Sequence, residues 1–176
     1  MSALRLINET TVTSNVASLD VTDVFSADFD IYKVVYEDFT VATGTDFFRM
    51  RLINSSGSVI STTSYDSAGL NMRANTTFVE RRETNSNKGV FPIISIDDGV
   101  AEGVSGVVYV FNPYSSSSYT FGISQSAGDN GTALAMYKNI GVFKKTETVT
   151  GFQLLEVATR PFDEGVIRTY GLRVDS

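Results

Sequence analysis

Runs of β-branched and aromatic residues recur roughly every ten positions along this chain, divided by clusters of Gly, Asn, Asp and Ser, which is the spacing of an antiparallel sandwich or barrel. Apolar residues almost nowhere return at helical intervals, so less than about a tenth of the chain is expected in helix. Candidate strands are Leu4–Thr13, Ser18–Phe25, Asp30–Thr40, Phe47–Asn54, Val59–Tyr65, Phe91–Ile96, Ser105–Asn112, Tyr119–Gln125, Ala133–Phe143, Gly151–Val157 and Gly165–Val174. These pieces suit two packed sheets, so the fold class read from them is all-β, a single antiparallel β-sandwich domain over residues 1–176. At that length one core can bury about two-thirds of the unfolded surface.

Alternation along each strand sorts side chains onto faces. In Phe47-Phe48-Arg49-Met50-Arg51-Leu52, Arg49 and Arg51 lie opposite Phe48, Met50 and Leu52, which predicts one wet side. In Tyr119-Thr120-Phe121-Gly122-Ile123-Ser124, the set Tyr119, Phe121 and Ile123 is expected to face the core, with the small polar residues outside. The last strand puts Val166, Arg168, Tyr170, Leu172 and Val174 opposite Ile167, Thr169 and Arg173. Asn54-Ser55-Ser56-Gly57-Ser58 has hairpin length, with Gly57 free to take positive φ. Ser115–Ser118, after Asn112-Pro113-Tyr114, reads as a turn because Pro113 cannot donate to a ladder. Between Asp66 and Gly89 the pattern fails, and a long excursion is expected, with one short helical turn around Ala68–Ala74.

The chain contains no histidine and no cysteine. Ser-His-Asp triads, a histidine base, disulfides, thiolate chemistry and ordinary zinc sites are therefore excluded. Carboxylate chemistry remains, with Asp28 and Asp30, Asp97 and Asp98, or Asp163 and Glu164 as candidate pairs. All of them stand beside turn signals, where aspartate is a turn former. Asp28-Phe29-Asp30, Asp97-Asp98-Gly99 and Asp129-Asn130-Gly131 offer oxygens to calcium, yet none matches a twelve-residue calcium loop. No glycine-rich phosphate cradle opens a helix. The expectation is a protein that is not an enzyme, with no catalytic residue, no metal and no cofactor.

Fourteen basic residues against twenty acidic ones give a net charge of −6, which argues against a nucleic-acid partner. Arg81-Arg82 is flanked by Glu80 and Glu83 and reads as a self-neutralised face. Apolar stretches fall far short of the roughly 20 residues of a membrane-spanning helix, so no membrane partner is expected. The opening Met1–Asn8 turns polar too early for a secretory signal, and synthesis in the cytoplasm is expected.

Binding and assembly are what remain. With no tryptophan, most of the twelve phenylalanines should fill the core, while Tyr65, Tyr114 and Tyr137, near turn signals, are surface candidates for protein contacts first and glycans second. The excursion supplies the other candidate partner-binding residues, Arg73, Phe78, Val79, Arg81 and Arg82. Both signs of charge there suit reciprocal contacts in a homo-oligomer.

Three segments carry a family likeness: Val110-Phe111-Asn112-Pro113-Tyr114-Ser115-Ser116-Ser117-Ser118-Tyr119-Thr120-Phe121, Gly151-Phe152-Gln153-Leu154, and Gly165-Val166-Ile167-Arg168-Thr169-Tyr170-Gly171-Leu172. With the opening Leu-x-Leu-Ile strand, the chain resembles the small β-sandwich virion structural proteins of marine tailed bacteriophages, including those of cyanobacteria. Glu164 stands before Gly165 where that family often has serine. The resemblance implies a jelly-roll-like fold and a virion location, as a capsid-decorating protein or an accessory subunit of the tail or its fibres. Its implied partners are copies of itself and the major capsid or tail protein. A carbohydrate-binding module for host attachment is the alternative, because sandwiches of this kind also host sugar sites.

Overall fold

The computed structural model describes residues 4–44, 46–76, 78–89, 91–96, 98, 103–129, 133–156 and 160–172. Their strands are β1 (Leu4–Val12), β2 (Ser18–Val21), β3 (Ile31–Phe39), β4 (Asp46–Asn54), β5 (Tyr65–Arg73), β6 (Val79–Ser86), β7 (Phe91–Ile96), β8 (Val104–Phe111), β9 (Thr120–Asp129), β10 (Leu134–Phe143), β11 (Val149–Glu156) and β12 (Gly165–Leu172). No helix occurs among the described residues. The strands form an eight-stranded sheet, β1-β12-β3-β8-β9-β10-β5-β6, and a four-stranded sheet, β2-β11-β4-β7. The fold is an all-β sandwich, and every neighbouring pair runs antiparallel.

Two hairpins explain the unequal sheets. Set β5, β6, β9 and β10 aside, and four strands remain in each sheet, β1-β12-β3-β8 and β2-β11-β4-β7. The chain crosses between these sheets strand by strand from β1 to β4, then returns through β7, β8, β11 and β12 in the reverse sense, which is jelly-roll winding. The β5–β6 and β9–β10 hairpins are inserted into that winding. Both add beyond β8, doubling the width of one sheet.

Buried residues from both sheets form one apolar cluster. At its centre Phe48 of β4 packs against Tyr36 and Phe39 of β3 and against Phe162, with ring centroids 5.3–5.4 Å apart. Phe25 contacts Tyr32 and Phe152 in the same way at 4.7 and 5.9 Å. Side chains of this size, packed edge to face, tilted or stacked, bury a large apolar area between the two sheets.

The widened part of the sheet is fastened to the smaller sheet through β6. Both terminal nitrogens of Arg49 donate to the Glu83 carboxylate at 2.8 Å, and the Ser86 hydroxyl donates to the same group at 2.8 Å. The Arg81 guanidinium lies 4.7 Å from the centre of the Phe47 ring, and Arg51 Nε donates to the Asn87 carbonyl at 3.0 Å. The expected wet face of β4 is thus corrected: Arg49 is buried, because β6 covers it. Arg81 and Glu83 are likewise engaged with β4 and do not simply neutralise each other. Gly89 follows with φ 129°, where an added Cβ would come within 2.3 Å of the Met50 carbonyl oxygen, so this close approach requires glycine.

The Asn54–Ser58 turn forms as expected, with Gly57 at φ 78° donating its N–H to the Asn54 carbonyl at 2.9 Å. The strand expected after it does not form. Val59 makes only an isolated bridge to Ile53, and the chain runs on as a loop to β5. Tyr65 ties that loop down: its hydroxyl donates to the Ile60 carbonyl at 2.9 Å and accepts from the Leu52 N–H at 3.3 Å. Burial pushes this hydroxyl above the usual phenol range.

The expected Asp66–Gly89 excursion, with its helical turn at 68–74, is overturned. Most of it is the β5–β6 hairpin. Its alternation is hidden in the sequence because the residues β5 turns inward are Ser67, Gly69 and Asn71, a polar and small set that does not read as a core face.

Candidate functional site: an apolar band on the outer sheet face

Register places side chains of the eight-stranded sheet in rows that cross it from edge to edge. On the face turned away from the smaller sheet, one row runs Leu4, Leu172, Ile31, Phe111, Phe121, Val142 and ends at Asp66. The next row carries Leu6, Tyr170, Tyr109, Ile123, Ile140 and Ala68, interrupted by Lys33 on β3 and ended by Arg82 on β6. Two adjacent rows are therefore apolar over almost their whole length. Phe121 is 50% exposed, Ile123 42% and Ile140 59%. Between them, Val142, Phe111 and Arg82 help to enclose a shallow groove of about 540 Å³.

This inverts the expected phase of β9. Tyr119, Phe121 and Ile123 point to solvent, while Thr120, Gly122, Ser124 and Ser126 are buried. The neighbouring strand does the same: Leu134, Met136 and Ile140 are exposed, and Ala135, Tyr137, Asn139 and Gly141 are buried. Two pairs of inward polar side chains bond to each other across strands. Asn139 Nδ2 donates to Ser124 Oγ at 3.1 Å, and Asn71 Nδ2 donates to the Tyr137 hydroxyl at 2.7 Å. Gly122 lies opposite Gly141, and β7 of the smaller sheet approaches β9 and β10 closely, which leaves little room for large side chains between them. The sequence did hold a signal for this: two consecutive strands each set an aliphatic face against a Gly, Ser and Asn face.

The polar edges of the band are held by exposed ion pairs. Arg168 Nε donates to Glu9 at 2.6 Å and its Nη1 to Glu37 at 2.5 Å, which together hold its guanidinium firmly protonated. Lys144 pairs with Asp66 at 2.8 Å, and this lysine together with the Asn85 N–H keeps the Asp66 carboxyl below the usual range. Such exposed pairs add little stability. They fix where polar surface begins.

The expected partner-binding residues do not form one site. Phe78 and Val79 are exposed at the β5–β6 turn, and Arg73 is half-buried nearby. Arg81 lies on the inner side of β6 over Phe47, whereas Arg82 joins the outer band. Tyr114 is exposed after β8, at the opposite end of the strands from Phe78. Of the other surface candidates, Tyr65 and Tyr137 are buried, since each hydroxyl has found an internal partner.

No family model matches the chain, and no curated protein matches it.

The carboxylate candidates stay apart or lie in turns. Asp28 accepts from the Ser26 hydroxyl at 3.2 Å, and Asp98 accepts from the Gly44 N–H at 2.6 Å. Asp97, Gly99, Asn130 and Gly131 lie outside the described residues. Asp163 and Glu164 share a polar cleft with Glu37 and Asp38. Among the described residues no three acidic side chains converge on a point that could hold a metal.

Proposed function

We propose that the protein is an assembly subunit: a virion structural protein of a tailed bacteriophage, decorating the capsid or serving the tail or its fibres through protein–protein contacts. The observation that carries this reading is the apolar band. Isolated chains rarely leave a continuous apolar surface spanning a whole sheet, and surfaces of that kind mark contacts with other proteins. Jelly-roll winding suits the reading, because capsid domains use it widely. The sequence likeness to phage virion proteins supports it independently. Its partners on this reading are copies of itself and the major capsid or tail protein, and its location is the particle.

The test is to purify particles of a phage that encodes the chain and quantify it by mass spectrometry. A fixed copy number relative to the major capsid protein is expected. Particles that lack the chain, or hold it only in traces, remove the reading.

Carbohydrate binding remains the second reading, and one observation favours it. Tyr114 and Asn112 border a small cleft with Ser26, Asp30 and Ser115, an aromatic ring beside several hydroxyl and carboxylate groups. A glycan array decides it, and Tyr114→Ala should abolish any signal that this cleft produces.

A further inference from the structure

We infer that the outer face of the eight-stranded sheet is a contact between two copies of this chain, packed face to face about a twofold axis with Ile123 and Ile140 near its middle. The inference rests on the assembly reading and adds to it the surface and its occupant.

Size is the first argument. Eight strands about 4.8 Å apart give a face about 34 Å wide between the outer strand axes, and three residue rows, each about 6.8 Å deep, cover about 20 Å along the strands. The product, about 700 Å², approaches the roughly 800 Å² that each partner contributes to a standard stable interface.

Charge is the second. The two apolar rows and the row beside them contain Lys33, Arg82, Lys138 and Arg168 against Glu9, Asp66 and Glu80, four bases to three acids. The chain as a whole carries −6, so copies repel in most orientations. This face lacks that excess, and two copies can meet on it without like-charge cost. A strongly acidic or basic partner would find no complementary field there.

Shape is the third. Sheets twist with one hand, and two sheet faces pack in register with that twist at about −30°. A second copy presents the same twist and the same apolar rows, which suits the self-complementary patch that a twofold dimer demands. The sheet edges oppose the alternative of edge-to-edge addition. Edge strand β6 carries Glu80, Arg81, Arg82 and Glu83 in succession, and edge strand β1 is interrupted between Leu6 and Asn8.

Multi-angle light scattering and sedimentation on the full chain test the inference, using wild type, Ile140→Lys, and Ser116→Lys as an exposed control off the face. Wild type should show twice the monomer mass, as should Ser116→Lys. Ile140→Lys should weaken self-association about a hundredfold or more, because an uncompensated charge enters the middle of the interface. Hydroxyl-radical footprinting of wild type across a dilution series gives a readout that needs no variant: Phe121 and Tyr109 should become protected as concentration rises. If wild type dimerises while Ile140→Lys keeps its affinity and footprints stay constant, the face is wrong and self-assembly stands. If wild type is a monomer at about 100 μM, the twofold contact is overturned, and the particle copy number still decides the virion reading separately.

Discussion

The two halves of the large sheet keep their interiors in opposite ways. In β1-β12-β3-β8 the inner face is Tyr32, Val34, Tyr36, Val108, Val110 and Ile167, closed by Phe48, Met50 and Phe152 of the smaller sheet. In β9-β10-β5-β6 the middle of the inner face is Gly122, Ser124, Asn139, Ser67, Gly69 and Asn71, with Tyr65 and Phe143 at one end and Tyr137 and Ala135 toward the other, and the larger aliphatic residues are outside. One half gains from burying apolar area, so its constraint is volume. The other is constrained by hydrogen-bond geometry and by small size: a Cβ on Gly69 would fall 2.0 Å from Asn139 Oδ1. Inserted hairpins need not repeat the logic of the fold they extend when inward polar groups such as Asn139 Nδ2 and Asn71 Nδ2 find partners.

Truncation in the first half should cost the most. Phe48→Ala removes a ring in contact with Tyr36, Phe39 and Phe162, and a loss of about 3–5 kcal/mol is expected in denaturant unfolding. A loss under about 1 kcal/mol would mean that the aromatic cluster does not join the sheets as described.

The clasp between β6 and the smaller sheet should come next. Glu83→Gln leaves the buried Arg49 guanidinium without its counter-charge, at a cost of about 2–3 kcal/mol near neutral pH. Arg49 lowers the Glu83 carboxyl below its ordinary value, chiefly by hydrogen bonding. A depressed folded-state value means that the stabilisation is complete above the ordinary glutamate range and is lost as pH falls through the lowered value. Melting temperatures of wild type and Glu83→Gln should therefore converge on acidification. Parallel curves would show that the pair contributes nothing through its charge.

A smaller effect belongs to the polar interior. Tyr137→Phe deprives Asn71 Nδ2 of its acceptor in a buried site, and about 1–2 kcal/mol should be lost. A neutral result would mean that water reaches Asn71, and that this half is less closed than its side chains suggest.

The smallest change sharpens the contrast most. Phe121→Ala should alter monomer stability by less than about 1 kcal/mol, since the ring is half exposed on the outer band. A loss comparable to that of Phe48→Ala would restore Phe121 to the core and invert the faces of β9.

Much of the architecture was legible in the residues. β-branched and aromatic runs marked most strands to within a few positions, and β7 matched at both ends. The turn at Gly57 was readable because only a few residue types accept its backbone angles. The band was not legible, because it joins residues from six or more strands that only register brings side by side. Nor were β5 and β6, whose inward polar residues resemble a loop when read singly.

Strand alternation is a parity. The sequence by itself determined that Phe121 and Ile123 lie on one face and Gly122 and Ser124 on the other, since successive side chains must point oppositely. Hydrophobicity names the buried face only when the other face meets water and the space inside is open. In β9 and β10 that space is narrowed by the close approach of β7 and filled by Ser124, Asn139 and Tyr137, so the larger aliphatic side chains are left outside. Which parity is inside was decided by what packs across the sheet, and only the tertiary structure supplies that partner.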